Sequence, residues 1–204
     1  MMKNYLAVDC GTTNTRIYLI RGNSVLDILK YNVGAGKCVN DKSILENVIK
    51  SGIAEILDRN GLAEEDICRI LASGMITSEF GLYEAEHINA PAGIKELRDN
   101  MVEVTLDEIS TIPFVFIRGI KSMGKTFEDT DMMRGEETEC AGLAELLDVD
   151  SSDTVYVLPG THSKIIKTDS EGRIAEFSTM MTYVCGRKQS GLQLSARSGF
   201  VRRD

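Results

Sequence analysis

The feature that most constrains the fold is one order of local elements that occurs twice in the chain. A predicted strand ends in a turn that contains Gly-Thr, and two further strands separated by a short turn follow it. The predicted strands of the first copy span residues 4–9, 15–21 and 24–33, and those of the second copy span 154–158, 164–168 and 173–181. A pattern that recurs about 150 residues later indicates two related domains, each opened by a three-stranded antiparallel meander.

The stretch between the two copies adds helices and further strands. Apolar positions at near-helical spacing predict a helix that begins after Asp41-Lys42-Ser43 as a cap and ends at Asn60-Gly61. Strands are predicted over 67–73 and 112–118, a short helix over 94–100, a helix over 136–147, and loops over 74–93 and 119–133. The helix over 136–147 is predicted to carry Cys140, Leu143, Ala144 and Leu147 on one face. Alternating strands and helices predict an α/β protein with a mixed sheet.

This organisation predicts a complete first domain over 1–150 and the first three strands of a second domain over 151–182. Residues 183–204 differ in character, because five basic residues stand there against Asp204, a net +4, while the whole chain carries -8. Apolar periodicity also fades in this tail. We expect that the tail reflects a frameshifted or prematurely ended reading of a longer gene, and the alternative is a genuine basic tail that docks on a partner.

Composition narrows the function classes. The net charge of -8 argues against nucleic acid or an anionic membrane as a partner. No apolar run approaches the roughly 18–20 residues that span a bilayer and no signal peptide opens the chain, so we expect a cytoplasmic protein. The five cysteines are scattered and odd in number, which favours thiols over disulfides or zinc ligands. His87 and His162 are too isolated to form a metal cluster.

The two Gly-Thr turns are candidates for phosphate binding. A tight turn with glycine leaves backbone N–H groups pointing outward, and these groups form a neutral cradle for phosphate oxygens together with threonine hydroxyls. Asp9, before the first turn, repels phosphate unless it holds Mg²⁺ that bridges the phosphates. Lys164, after the second turn, is suited to the same anion. Either turn alone is better explained by local hydrogen bonds, whereas two matching turns favour phosphate binding.

Five segments carry a resemblance to a known family. The repeated meander with "DCGTTNTR" (9–16) and "LPGTHSK" (158–164) resembles the sugar kinase/actin/Hsp70 superfamily, whose two RNase H-like domains clamp ATP. Within that superfamily, "ASGMITSEFGLYEA" (72–85), "MMRGEETE" (132–139) and "FSTMMT" (177–182) are similar to the 2-dehydro-3-deoxygalactonokinase family. The resemblance implies ATP-dependent phosphorylation of 2-dehydro-3-deoxy-D-galactonate at its 6-hydroxyl in galactonate breakdown, with Mg²⁺.

The resemblance also implies roles for individual residues. Asp9 would lie beside Mg²⁺. The first phosphate loop would consist of Gly11, Thr12, Thr13 and Asn14, and the second of Gly160, Thr161 and Lys164. His162 would either donate to a phosphate or fix its turn. The stretch over 74–93, with Gly74, Met75 and Ser78, would face the sugar acid, although a plain connecting loop explains its length and glycines equally well.

Arg134 is the expected partner of the substrate carboxylate, because a planar guanidinium binds a carboxylate through two hydrogen bonds. The rival interpretation is an arginine paired to Glu136 or Glu137 at a helix start, where glutamates also suit the helix dipole. In the functional interpretation one of these glutamates takes the proton from the attacking hydroxyl. The residues alone leave this choice open.

Two other function classes fit parts of the sequence. The family segment that grips the adenosine has no counterpart after Thr182, which suits a sugar-acid-binding fragment without turnover. A phosphatase of the same superfamily shares the first loop, but the Arg-Gly-Glu-Glu-Thr segment argues against it. In each case the expected partners are small molecules, with a homodimer as the possible assembly.

Overall fold

The computed structural model describes residues 3–122, 130–147, 150–160 and 162–181, so Thr161 and the basic tail lie outside the described residues. The strands within these ranges are β1 (Asn4–Cys10), β2 (Thr15–Arg21), β3 (Ser24–Tyr31), β4 (Ile67–Gly74), β5 (Ile88–Asn89), β6 (Val102–Leu106), β7 (Ser110–Phe116), β8 (Ile120–Lys121), β9 (Met132–Met133), β10 (Val155–Leu158), β11 (His162–Thr168) and β12 (Ile174–Met181). The α-helices there are α1 (Ser43–Arg59), α2 (Ile94–Asp99) and α3 (Glu136–Leu147).

The larger sheet has six strands in the order β3-β2-β1-β4-β7-β6. β1, β2 and β3 form an antiparallel meander, β4 and β7 run parallel to β1, and β6 pairs antiparallel with β7 at the edge. Side chains alternate between the faces along β1, where Leu6, Val8 and Cys10 are buried. The predicted RNase H-like α/β fold, with a mixed sheet that contains a three-stranded meander, is confirmed.

Helix α1 packs its apolar stripe on this sheet and forms one core with it. Its start is fixed by Asp41, whose carboxylate accepts hydrogen bonds from the backbone N–H and the hydroxyl of Ser43 at 3.0 and 2.7 Å. Its buried apolar side chains are Leu45, Ile49, Ile53, Ile56 and Leu57. They share this core with Phe114 and Phe116 of β7. Burial of each such side chain contributes about 1.5–3 kcal/mol, so the core holds the meander and its first loop in place.

The second meander is a separate three-stranded sheet in the order β10-β11-β12. Its inner face places Tyr156, Ile166 and Ile174 in a second core together with Cys140 of α3. Its outer face leaves Val157 63% and Met180 50% exposed, as expected for a meander without a covering helix on that side. The division of the chain at residue 150 stays a prediction.

The sequence prediction is wrong at several elements between the two meanders. It assigns no strand to β6, whose alternate residues face solvent at the sheet edge and give little apolar signal. The predicted loop over 119–133 contains β8 and β9, and the loop over 74–93 contains β5. These three strands of two residues each form one small sheet, in the order β5-β8-β9, and are too short to show any periodicity.

Two further findings concern the chain as a whole. The described cysteines, Cys10, Cys38, Cys68 and Cys140, form no disulfide with one another. Among the helices that the structure describes, none combines the length and the apolar character needed to cross a membrane.

Candidate functional site

A cleft of about 680 Å³ opens between the two predicted phosphate loops and the segment that precedes α3. Its volume lies in the range of pockets that hold small-molecule ligands, roughly 300–1,000 Å³. The predicted residues that line it are Asp9, Gly11, Thr12, Thr13, Asn14, Gly74, Met75, Arg134, Glu136, Gly160, His162 and Lys164. The fold therefore brings most of the predicted site into one concave surface, although residues 9 and 164 are far apart in the chain.

The first loop, residues 11–14, is held from behind by the chain after β3. Gly11 donates to the carbonyl of Asn14 at 2.9 Å, and the carbonyls of Gly11 and Thr12 accept from the backbone N–H groups of residues 35 and 36. Gly34 passes so close that a Cβ on it would lie 2.4 Å from the Gly11 carbonyl oxygen. With its carbonyls occupied, the loop presents the exposed Thr12 and Thr13, whose backbone N–H groups bind no other described residue. Free N–H groups on an exposed turn suit an anion.

Asp9 stands at the end of β1 beside this loop. Its Oδ2 accepts a hydrogen bond from Arg16 Nη1 at 2.7 Å, and both side chains are 43% exposed. That hydrogen bond raises the pKa of Arg16. The second carboxylate oxygen, Oδ1, has no such bond, so Asp9 has a coordination position to offer Mg²⁺. The described residues contain no group of three or more metal-ligating side chains. The role of Asp9 beside Mg²⁺ stays a prediction.

The second loop differs from the first because its lysine is turned inward. Lys164 is only 3% exposed, and its Nζ donates to Asp131 Oδ1 at 3.1 Å, to the Met132 carbonyl at 2.6 Å and to the hydroxyl of Thr179. An ammonium has three N–H donors, so these partners use all of them. The exposed His162 also lines the cleft. Roles for Lys164, Gly160 and His162 in phosphate binding stay predictions.

Arg134, directly before α3, also lines the cleft and is partly buried. Its Nη1 donates to the Thr77 hydroxyl at 2.9 Å and its Nη2 to the Ala85 carbonyl at 2.9 Å. Nη2 also lies 3.5 Å from His87 Nδ1. All three acceptors are neutral, and among the described residues the guanidinium forms no ion pair. Burial lowers the pKa of Arg134 despite the negative Glu137 and Glu84, which indicates a cation that lacks a close counter-ion.

The two glutamates after Arg134 serve the backbone at the start of α3. Glu136 Oε2 accepts from the Arg134 backbone N–H at 3.1 Å, and both oxygens of Glu137 accept from the Gly135 N–H at 2.8 and 2.9 Å. Glu137 is fully buried and faces a small apolar cavity on the other side of α3, away from the cleft. Burial raises its pKa to about 8. The rival interpretation of Arg134 requires an ion pair with Glu136 or Glu137, and the described residues form no such pair.

The remaining predicted substrate residues lie on the turn after β4. Gly74 adopts a φ of 85°, and a Cβ there would lie 2.5 Å from the Cys10 carbonyl oxygen, so this close approach of β4 to β1 requires glycine. Met75 lines the cleft beside it. Ser78 is buried, and its hydroxyl donates to the Met75 carbonyl at 2.7 Å. Its contact with the sugar acid stays a prediction.

Sequence reasoning did not select four further residues that line the cleft: His87, Asp131, Glu139 and Thr179. Glu139 is the last residue of the segment "MMRGEETE", so that motif contained a signal for it. Asp131 directly precedes the same segment, but its pairing with Lys164 depends on β11 lying beside β9. Burial and the positive Arg134 lower the pKa of His87 to about 4, so its imidazole is neutral at pH 7.

Comparison with known proteins gives consistent results. The 2-dehydro-3-deoxygalactonokinase of Escherichia coli (strain K12) is 28% identical over 182 residues, which cover 89% of this chain and 55% of that protein. A crystal structure from Sinorhizobium meliloti, of a protein assigned as a 2-dehydro-3-deoxygalactonokinase, superposes with a TM-score of 0.67 at 26% identity. That match covers 91% of this chain and 57% of the other. The chain thus spans about half the length of the curated relatives it matches.

The family model described as 2-keto-3-deoxy-galactonokinase matches residues 9–184, a range that begins at the predicted Mg²⁺ ligand and includes both Gly-Thr loops and Arg134. The chain belongs to the 2-keto-3-deoxy-galactonokinase family.

Proposed function

We propose that this chain carries the sugar-acid and phosphate sites of a kinase that transfers the γ-phosphate of ATP to the 6-hydroxyl of 2-dehydro-3-deoxy-D-galactonate. The observation that carries the proposal is Arg134, a cation held by neutral acceptors in a cleft that is also lined by the first Gly-Thr loop. A sugar acid and a nucleotide phosphate are both anions, and the cleft offers a separate set of donors to each.

The carboxylate of the sugar acid binds Arg134 in this proposal. A guanidinium has five N–H donors, and the three described contacts leave others for a ligand. The bonds to Thr77 and Ala85 fix the plane of the group, so little conformational entropy is lost when a carboxylate arrives. Arg134 can only donate, so its contact with His87 Nδ1 requires the tautomer that carries the proton on Nε2. Because the pKa of His87 is lowered to about 4, the neutral ring adds no competing charge.

The phosphates of ATP bind the first loop, whose free N–H groups on Thr12 and Thr13 and exposed hydroxyls approach oxygen without adding charge. Asp9 is the residue that would hold Mg²⁺, through the carboxylate oxygen that Arg16 leaves free. When bound, Mg²⁺ supplies neutralisation of the charge on the β- and γ-phosphates. Arg16 keeps the Asp9 carboxylate oriented toward the loop.

Phosphate transfer requires the hydroxyl of the bound sugar acid to lie next to the γ-phosphate of the bound ATP. The sugar hydroxyl attacks the γ-phosphorus in line with the leaving ADP oxygen, and the loop donors stabilise the negative charge on the transferred group. The walls of the cleft act mainly by positioning, because the transition state of phosphoryl transfer needs little covalent help from the protein.

The experiment that tests the proposal is coupled ADP release by the purified chain with ATP, Mg²⁺ and the sugar acid. Turnover that requires the sugar acid supports it, and Arg134→Ala is expected to lower kcat/KM by at least tenfold. The affinity of the chain for the sugar acid is measured in parallel by calorimetric titration. A chain that neither binds the sugar acid nor turns over ATP contradicts the proposal.

A further inference from the structure

The first turn of α3 contains three glutamates, and the structure gives them different surroundings. Glu136 and Glu137 accept hydrogen bonds from the backbone N–H groups of Arg134 and Gly135. Glu139 lies one turn after Glu136 on the cleft side of the helix, where it is exposed and lines the cleft. Within the described residues its carboxylate accepts no hydrogen bond and forms no ion pair. Both of its oxygens are therefore open to a ligand, whereas Glu136, which also lines the cleft, has one oxygen engaged by the backbone.

The charges around Glu139 come from three elements. Glu136 lies on its own helix, Asp9 at the end of β1 and Arg16 on β2. Partial burial, followed by the negative Glu136 and Asp9, raises the pKa of Glu139, and Arg16 opposes this effect. A carboxylate with a raised pKa is a better proton acceptor than an ordinary one. Asp9 also marks the phosphate end of the cleft, so Glu139 faces the region where the transferred phosphate is expected.

We propose that Glu139 holds the phosphate-accepting hydroxyl of the sugar acid and takes its proton during transfer. The proposal rests on the proposed kinase function. In this arrangement Arg134, two residues before the helix, binds the carboxylate end of the substrate. Glu139, one turn into the helix, binds its hydroxyl end. One short segment of chain thereby fixes both ends of the sugar acid relative to the first phosphate loop.

The step balances in atoms and electrons. A lone pair of the substrate hydroxyl oxygen forms the new bond to the γ-phosphorus, and the bond from that phosphorus to the bridging oxygen of ATP breaks. The electron pair of the broken bond leaves with ADP. The hydroxyl proton passes to the Glu139 carboxylate and from there to water, which returns the carboxylate to its ionised form.

The other acids at the cleft are less suited to this role. Glu137 is buried away from the cleft, and Glu136 is engaged by the backbone. Asp131 accepts hydrogen bonds from Thr179 and Lys164. Burial acts to raise the pKa of Asp131, but these hydrogen bonds outweigh it and the pKa is lowered. Asp9 is paired with Arg16. Three of these carboxylates already accept hydrogen bonds from the protein, and Glu137 lies away from the cleft. Glu139 lines the cleft and accepts no hydrogen bond within the described residues.

A binding experiment tests the proposal without requiring turnover. The sugar acid and its 6-deoxy analogue, which has a methyl group in place of the terminal hydroxymethyl group, are titrated calorimetrically into the unaltered chain and into Glu139→Ala. The unaltered chain is expected to bind the sugar acid about tenfold more tightly than the analogue, as for one hydrogen bond to a charged group. Glu139→Ala is expected to bind both ligands equally.

Two further variants complete the experiment. Glu145→Ala removes an exposed glutamate later on the same helix and is expected to keep the tenfold ratio. Glu139→Gln preserves the side-chain volume and is expected to reduce the ratio to about threefold, because a neutral acceptor forms a bond of about half the strength. A ratio of tenfold in Glu139→Ala, or no discrimination by the unaltered chain that does bind the sugar acid, overturns the role of Glu139. A chain that binds neither ligand overturns the kinase proposal itself.

Discussion

Arg134 and Lys164 both line the cleft, and each belongs to a segment that the sequence marks as functional. Their hydrogen-bond partners differ. Lys164 is buried and gives its three N–H donors to Asp131, a backbone carbonyl and Thr179, so its charge is neutralised within the protein. Arg134 is partly buried and contacts only neutral acceptors. A cation that is already paired holds structure together, whereas a fixed cation without a counter-ion attracts an anionic ligand.

We propose from this comparison that Lys164 contributes to stability, while its role in phosphate binding stays a prediction. It joins β11 to the segment before β9 through Asp131, and Phe177 lies 5.4 Å from its ammonium group. The corresponding position on the first loop has no lysine, and there the backbone N–H groups of the exposed Thr12 and Thr13 are the proposed anion site. The two Gly-Thr turns that look alike in the sequence therefore differ in what they present to the cleft.

The largest effect that the comparison predicts is on stability, in Lys164→Met. Removing the ammonium leaves the Asp131 carboxylate without its charged partner, so we expect the free energy of unfolding to fall by about 3 kcal/mol. Urea denaturation followed by circular dichroism measures it. Lys167→Met, which alters an exposed lysine on the same strand, is the control and should change stability by less than about 0.5 kcal/mol. Equal effects of the two substitutions would contradict the structural role.

The next effect is on binding, in Arg134→Lys. Lysine keeps the charge but loses the planar pair of donors, so we expect sugar-acid binding to weaken by roughly 1–3 kcal/mol. Calorimetric titration measures it, and Arg173→Lys serves as the control because Arg173 is paired with Asp169 outside the cleft. Unchanged affinity in Arg134→Lys, together with loss of stability, would make Arg134 a structural residue like Lys164.

A third prediction concerns pH and Glu137. Burial raises its pKa to about 8 in the folded chain from an ordinary value of 4.5, so the folded state retains the proton after the unfolded state has lost it. Its contribution to stability is therefore complete below about pH 4.5 and is lost as the pH rises toward 8. Glu137→Gln removes this dependence. Denaturation at pH 5 and pH 8 should show a smaller difference in the variant than in the unaltered chain, and an identical difference would refute the assignment.

The smallest effect on stability is expected for Asp9→Asn. Its ion pair with Arg16 has both side chains 43% exposed, and exposed pairs of this kind contribute at most about 1 kcal/mol. We expect sugar-acid binding to remain, while Mg²⁺-dependent nucleotide binding and any phosphate transfer are lost. Titration of ATP with and without Mg²⁺ measures this. Retained Mg²⁺-dependent binding would remove Asp9 from the metal site.

The sequence predicts the meanders and the cleft well, for identifiable reasons. β1 alternates buried and half-buried residues along its whole length, and α1 keeps its apolar stripe over four turns, so both leave strong periodic signals. Glycine and threonine at residues 11–13 mark the first loop, although residues 34–36 also hold it in place. The periodic features depend on neighbours in the chain, and the sequence records them directly.

The partners of individual side chains are set by tertiary contacts and could not be predicted. Whether Lys164 faces the cleft or Asp131 depends on how β11 packs beside residues 131–132, which are about 30 positions away. The choice among Glu136, Glu137 and Glu139 depends on where α3 begins. If α3 were rotated about its axis by one residue, a glutamate that faces the cleft would become buried and a buried one would face the cleft.

The most direct test of the central claim compares two ligands on the unaltered chain. The sugar acid and its C1 carboxamide differ only in whether the group at the Arg134 end is charged. The account predicts that calorimetric titration will show the carboxamide binding at least tenfold more weakly, and that Arg134→Ala will remove most of this difference. Equal binding of the acid and the carboxamide by the unaltered chain would show that Arg134 does not receive the carboxylate.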